Sequence, residues 1–449
     1  METTSNTPSD RTPRPVDTGE RIVLLDVIRG FALGGVFFSN VFLWFSGRVL
    51  MPPTFWQTPE TGVRAAFAHA FRNLVFGKFI TIFTFLFGLG LAVQFARADD
   101  REDSAALRYS KRAAVMLLFG ILHMALVWYG DILHVYALLG FGILLFRRTS
   151  TKKLIIIGAI LAFCAGPVTM WLESFLPRLW SSPDVLKQAM QAKQAHFTTV
   201  NEQARTLFLS GSYGSNVRAN LLTYWHHFAR LHVIGFYLGM FGNFLLGYAA
   251  GKAAVFTNVD KYRRLFRHLV GWGLLGGIIG GAGFAFLRMV GPGKQYFVTN
   301  QTLVPLFVPI ARELQTLGLA AFYMATITLL FQRPLWRRIL SIYAPVGRTA
   351  VTNYLSQSVV AVFVFTGIGL GHLGNLSPIW TVGMPLGVFI VQMVISRLWL
   401  SRFAFGPVEW VWRSMTYGKV QPLRRANESV GEIADEPQGD VAAASSGSA

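Results

Sequence analysis

The stretch LLDVIRGFALGGVFFSNVFLWF (Leu24–Phe45) decides the fold. It holds one acid, Asp26, and one base, Arg29, both in its first third, and is otherwise almost wholly apolar. As a helix rising 1.5 Å per residue it spans about 33 Å, the thickness of a bilayer's hydrocarbon core. Nine further runs have the same character, near Asn73–Phe95, Ala113–Trp128, Ile132–Phe146, Leu154–Leu172, Val233–Gly251, Leu269–Phe286, Leu314–Phe331, Val351–Leu370 and Ile379–Leu400. The reading is an all-α polytopic integral membrane helical bundle of about ten transmembrane helices. Only Tyr129, Gly130 and Asp131 separate the third and fourth runs, so a single broken element is an open alternative there.

Composition agrees. Of 449 residues 53% are hydrophobic and 14% charged, too few charges for a water-facing surface of that size. The net charge of +19 falls in short clusters between apolar runs, not along one face, which points to membrane orientation and excludes nucleic acid as a partner. Alternating the ten runs across the bilayer places 27 Lys and Arg on the side of the N-terminus and 12 on the other, so both termini are expected in the cytoplasm. Trp44, Trp128, Trp336 and Trp399 stand at ends of runs, where indole prefers the headgroup layer. Residues 1–20 lack the apolar core of a signal peptide, which makes the first helix an uncleaved anchor in a bacterial inner (plasma) membrane.

The expected organisation is a disordered cytoplasmic segment (1–20), a membrane half of five helices (21–172), an external loop with an amphipathic helix from about Asp184 to Leu209 (173–232), a second membrane half of five helices (233–425) and a disordered tail (426–449). The seventh run carries Gly271, Gly273, Gly276, Gly277, Gly280, Gly281 and Gly283, a spacing suited to close helix packing. Gly369, Gly371 and Gly374 form a Gly-x-Gly-x-x-Gly string with no strand before it, so no dinucleotide site is expected.

Ionisable side chains in a membrane are expensive, which makes each one a candidate for function. Asp26 and Arg29, three apart, share a helical face at the inner end of the first helix, either as a structural ion pair or as part of a donor site. Towards the outer side gather Lys78, His123, Asp131, His134, His227 and Arg230. An imidazole held by a carboxylate makes a general base, so His123, Asp131 and His134 are the catalytic candidates. His226 and His232 read as interfacial. Arg348, Asn353, Tyr354 and Gln357 lie at the inner end of the ninth run, bonding to neighbouring helices or lining a ligand path. One cysteine, Cys164, and no His-Glu-x-x-His spacing leave no metal site, and no permanently bound cofactor is expected.

RIVLLDVIRGFAL (Arg21–Leu33), HMALVWYGDILHVYALLGF (His123–Phe141), GRTAVTNYLSQS (Gly347–Ser358) and FGPVEWVWRSMTYGKVQPLRR (Phe405–Arg425) resemble the YeiB-like family of bacterial inner-membrane proteins, whose C-terminal domain has no assigned function. The motif Leu-Asp-x-x-Arg-Gly, here Leu25, Asp26, Arg29 and Gly30, is similar to that of membrane acyltransferases of the heparan glucosaminide acetyltransferase type. That resemblance implies an acyl-CoA donor site at the cytoplasmic end and an extracytoplasmic acceptor: a glycan, lipid or small molecule. A proton-coupled transporter is the competing reading, since carriers also need buried acids and imidazoles. The absence of matched hydropathy in the two halves favours the enzyme.

The charge bias makes a direct prediction. Reporter fusions are expected to place residues 96–112, 252–268 and the C-terminus in the cytoplasm and residues 173–232 outside. A cytoplasmic signal from 173–232 would refute the orientation.

Overall fold

A computed structural model describes residues 22–52, 55, 60–96, 102–228, 231–290 and 304–424, and these fold as helices joined by turns. The disorder expected of residues 1–20 and 426–449, and the side chain of Arg230, lie outside the described residues.

Among the described residues eight helical segments are long and apolar enough to cross a membrane: Val23–Leu50, Gly62–Ala96, Ala106–Leu126, Thr151–Trp180, Val233–Lys252, Arg263–Leu287, Leu306–Phe331 and Ile379–Arg402. Two shorter apolar helices, Leu133–Leu144 and Ala350–Phe365, complete the bundle. The chain is a multi-pass, all-α membrane protein.

In chain order the first helices are α1 (Val23–Asn40), α2 (Gly62–Ala70), α3 (Lys78–Ala96), α4 (Glu102–Leu126), α5 (Leu133–Leu144) and α6 (Thr151–Trp180). The third and fourth apolar runs are thus two separate helices, α4 and α5, joined by a turn at residues 127–132. Then come α7 (Pro183–Leu209), α8 (Tyr213–Phe228), α9 (Leu231–Lys252), α10 (Arg263–Val290) and α11 (Val304–Phe331). The remainder is α12 (Pro334–Leu340), α13 (Ala344–Arg348), α14 (Ala350–Phe365), α15 (Met384–Arg402) and α16 (Pro407–Tyr417). Starts follow capping chemistry: the Ser150 and Ser182 side chains accept from the backbone N–H groups of Lys153 and Val185. Pro183, Pro334 and Pro407 fill first-turn positions where no N–H is needed. Three π-helical turns, Val41–Phe45, Phe71–Val75 and Ile379–Gly383, lie at the end away from the basic loops.

In lipid there is no hydrophobic drive between helices, so close packing holds them together. The glycine-rich face of α10 meets α11: Cβ atoms at Gly273 and Gly280 would strike the Gly318 carbonyl and the Gln315 backbone. Gly271 faces nothing. Close approaches of backbone to backbone join α3 to α9, at Gly88 and Gly247, and α1 to the segment before α14. A Cβ at Gly30 would collide with the Tyr343 carbonyl, and one at Gly347 with the Asp26 carbonyl. These contacts are backbone against backbone, and they fix residues 341–349 against the start of α1.

Gly347→Val is therefore expected to destabilise the protein by about 1–3 kcal/mol or more, as overpacking does. Gly271→Ala, with open space around it, is the neutral control. Thermal unfolding of both in detergent checks this, and equal midpoints would contradict the packing described.

Candidate functional site

The chemistry collects where α4 turns back into α5. Gly120, three residues before His123, gives the α5 start its place, because a Cβ there would meet the His134 backbone nitrogen. In the turn Asp131 is buried, and its two oxygens tie three helices together. Oδ1 accepts from His123 Nδ1 at 2.9 Å and from the Tyr354 hydroxyl of α14 at 3.4 Å. Oδ2 accepts from His134 Nδ1 at 2.8 Å and from the His134 backbone N–H at 3.0 Å, which caps α5.

This network sets the tautomers. An ionised carboxylate only accepts, so both imidazoles carry their hydrogen on Nδ1. His134 Nε2 is then an acceptor and receives the Tyr224 hydroxyl at 3.0 Å. His123 Nε2 is likewise an acceptor, is buried, and has no hydrogen-bond partner among the described residues. A lone pair oriented by a carboxylate and left unused is what a general base requires.

Below this cluster a cavity of about 220 Å³ runs between α1, α3, α4, α5, α14 and α16. Tyr354, Ile132, Leu133 and Tyr136 close its inner end, and Arg29, Arg112, Arg348 and Arg413 stand around its other end, on the side of the basic loops. From Arg112 to His123 is eleven residues of α4, about 16 Å of helix. Tyr354 thus has one side on the cavity and its hydroxyl on Asp131, with its ring 5.5 Å from that of His123.

Helix α16 organises the arginine end. Glu409 Oε1 accepts from the backbone N–H groups of Val351 (2.7 Å) and Thr352 (3.0 Å), capping α14 from outside its own sequence. Burial pushes the Glu409 carboxyl up, against the pull of these bonds. Trp412 Nε1 donates to the Arg112 carbonyl at 2.9 Å while the Arg112 guanidinium lies over the Trp412 ring at 4.1 Å. One short helix thereby fixes both α14, which bears Tyr354, and α4, which bears His123.

The expected site residues divide accordingly. His123, Asp131 and His134 form one cluster, and Arg29 and Arg348 share the cavity mouth. Asp26 pairs with Arg29 at 2.8 Å. Asn353 donates to Thr349 and Ser396, and Gln357 to Gln392, so both bond neighbouring helical segments inside the bundle. His227 Nε2 donates to Asn201 Oδ1 at 3.2 Å, beyond the Tyr129 ring from His123. Lys78 is not part of the cluster: it is buried at the start of α3, donates to the Arg72 carbonyl at 3.2 Å and lies near Arg312 and Glu313. Sequence reasoning missed Arg112, Arg413, Glu409 and Tyr224 as site residues, and placed Tyr354 with Asn353 and Gln357 and not with the histidines. The Gly-Pro-x-Glu-Trp string was the one available signal for α16.

Residues 250–419 match a family described as a protein of unknown function (DUF418). The chain is 33% identical over 435 residues to the uncharacterized protein YxaH of Bacillus subtilis, covering 92% of this chain and 98% of that protein. It is 27% identical to an uncharacterized 39.9 kDa protein in the amylase 3' region of Bacillus acidopullulyticus, covering 92% and 99%. It is also 27% identical to the uncharacterized protein YeiB of Escherichia coli, covering 90% and 98%. No solved structure matches. Likeness over nearly the whole length, together with the DUF418 segment, shows that this chain belongs to the YeiB-like family of membrane proteins.

Proposed function

We propose that this protein is an acyltransferase of a bacterial inner membrane, moving an acyl group from cytosolic acyl-CoA to an extracytoplasmic acceptor such as a glycan, lipid or small molecule. The carrying observation is the unused, buried Nε2 of His123, oriented by Asp131, behind Tyr354, which lines the closed end of a cavity whose other end is ringed by arginines. Guanidinium groups suit the phosphates of CoA through bidentate, charge-assisted bonds. Between its ends the cavity is lined mainly by apolar side chains, among them Leu33, Phe83, Phe87, Leu91 and Met116, which suits a pantetheine arm carrying a thioester inward.

The chain's residues divide the reaction as follows. His123 Nε2 takes the proton of an acceptor hydroxyl, whose oxygen adds to the thioester carbonyl. The intermediate collapses, the C–S bond breaks, and the departing thiolate takes that proton from the imidazolium. The products are the acylated acceptor and free CoA. Asp131 orients the ring throughout and stabilises its charged form. Tyr354, whose hydroxyl donates to Asp131, lies between cavity and dyad and lines the thioester's approach.

Acetyl-CoA at a hundredfold excess over its dissociation constant is expected to stabilise the purified protein by about 2.7 kcal/mol. Arg348→Ala or Arg29→Ala should weaken that binding roughly ten- to a hundredfold, as loss of a charged hydrogen bond does. No stabilisation by any acyl-CoA would remove the donor from the reading.

His123→Ala and Asp131→Asn are expected to lower donor-dependent product by about 10²–10⁴-fold while leaving donor binding intact. Equal product from wild type and His123→Ala would make His123 structural. Proton flux uncoupled by His123→Ala, with acyl-CoA irrelevant to both proteins, would mark a proton-coupled transporter instead.

A further inference from the structure

On the far side of His123 from the arginine mouth, five buried side-chain atoms have no hydrogen-bond partner among the described residues: His123 Nε2, Trp128 Nε1, Tyr129 OH, and Asn216 Oδ1 and Nδ2. All four residues are buried, at 5%, 3%, 3% and 1% exposure. They belong to one place. His123, Trp128 and Tyr129 follow one another around the α4–α5 turn, with ring centroids 6.5 Å and 6.2 Å apart. Asn216 lies on the stripe of α8 that faces this turn. One turn on, Asn220 accepts from the Tyr129 N–H at 3.2 Å and donates to the Ala125 carbonyl at 3.3 Å. One turn back, the Tyr213 hydroxyl donates to the Leu126 carbonyl at 3.0 Å. A buried polar group left unmade is costly, and so many in one place are unusual in a native fold. They are the signature of a site that is filled in use.

We propose that the turn at residues 127–132 and the facing stripe of α8 form the acceptor subsite, and that it takes a neutral, hydroxyl-rich group. This rests on the acyltransferase reading and names its acceptor. The set of atoms selects the chemistry. Trp128 Nε1 only donates, His123 Nε2 only accepts, and Tyr129 and Asn216 do both. A hydroxyl also does both, so a polyol satisfies the whole set. An anion would meet the donors but oppose the lone pair of His123 and the nearby carboxylate of Asp131. The rings of Trp44, Phe208 and His227 around Tyr129 offer the apolar faces that a sugar ring covers. In this arrangement an acceptor hydroxyl donates to His123 Nε2 from one side while the thioester arrives past Tyr354 from the other. A free polyol and the head group of a glycolipid present the same hydroxyls, and the test separates them.

The test uses the full chain in phosphatidylcholine nanodiscs and follows hydrogen exchange at residues 124–132 and 213–224. Three probes are added separately: methyl β-glucoside, monoglucosyl diacylglycerol placed in the disc, and inorganic phosphate. Protection by the glucoside indicates a free polyol, and protection by the glycolipid alone a lipid head group; either supports the subsite. Tyr129→Phe and Asn216→Leu should weaken that protection roughly five- to tenfold each, with thermal midpoints unchanged or higher because the atoms removed were unsatisfied. Acetyl-CoA stabilisation should persist in both variants, and it is read separately, so loss of the donor reading and loss of this one are distinguishable. No protection by either sugar, protection by phosphate instead, or unchanged sugar affinity in both variants would overturn the proposal.

Discussion

The carboxylate of Asp131 is the constraint on which the centre of this molecule depends. A buried acid inside a helical bundle is tolerable only when its oxygens are satisfied, and here four hydrogen bonds reach them from α4, α5 and α14. Removing it would do more than lose one bond: two imidazoles would lose their tautomeric control, α5 its cap and Tyr354 its acceptor. The same four bonds that make the group affordable in lipid also leave one nitrogen oriented and idle.

Geometry at the two ends of the site is maintained by different means. Near Asp131 it is hydrogen bonding among side chains. At the arginine end it is a helix, α16, that caps α14 through Glu409 and braces α4 through Trp412. Since α4 carries His123 and α14 carries Tyr354, the catalytic candidates are held at both ends of the helices that bear them. The family's C-terminal region thus contributes structure to a site whose imidazoles come from the N-terminal half.

Much of this was legible in the sequence where the signal was local. Apolar runs and basic clusters gave the spans, and the helix break at Tyr129–Asp131 drew His123, Asp131 and His134 together because they lie within a dozen residues. The remainder depended on long-range contact. Arg112 and Arg413 are about 300 residues apart, and no spacing rule joins them at one cavity. Helix α8 escaped notice because its buried face is polar: Asn216, Asn220 and Thr223 look like a loop until α4 is laid against them. Lys78 shared a side of the membrane with the histidines, but depth in the bilayer says nothing about which helices are neighbours.

The contact between Gly30 and Gly347 bears on the geometry of the arginine end. Side chains absorb small displacements by rotating, whereas two backbones in contact have nothing to rotate. The start of α1 and residues 341–349 therefore behave as a single rigid wall, carrying Arg29 and Arg348 at a fixed separation. The spacing of those two guanidinium groups is thus set by main chain, not by side-chain choice, and it acts as a fixed gauge for any anion that enters between them.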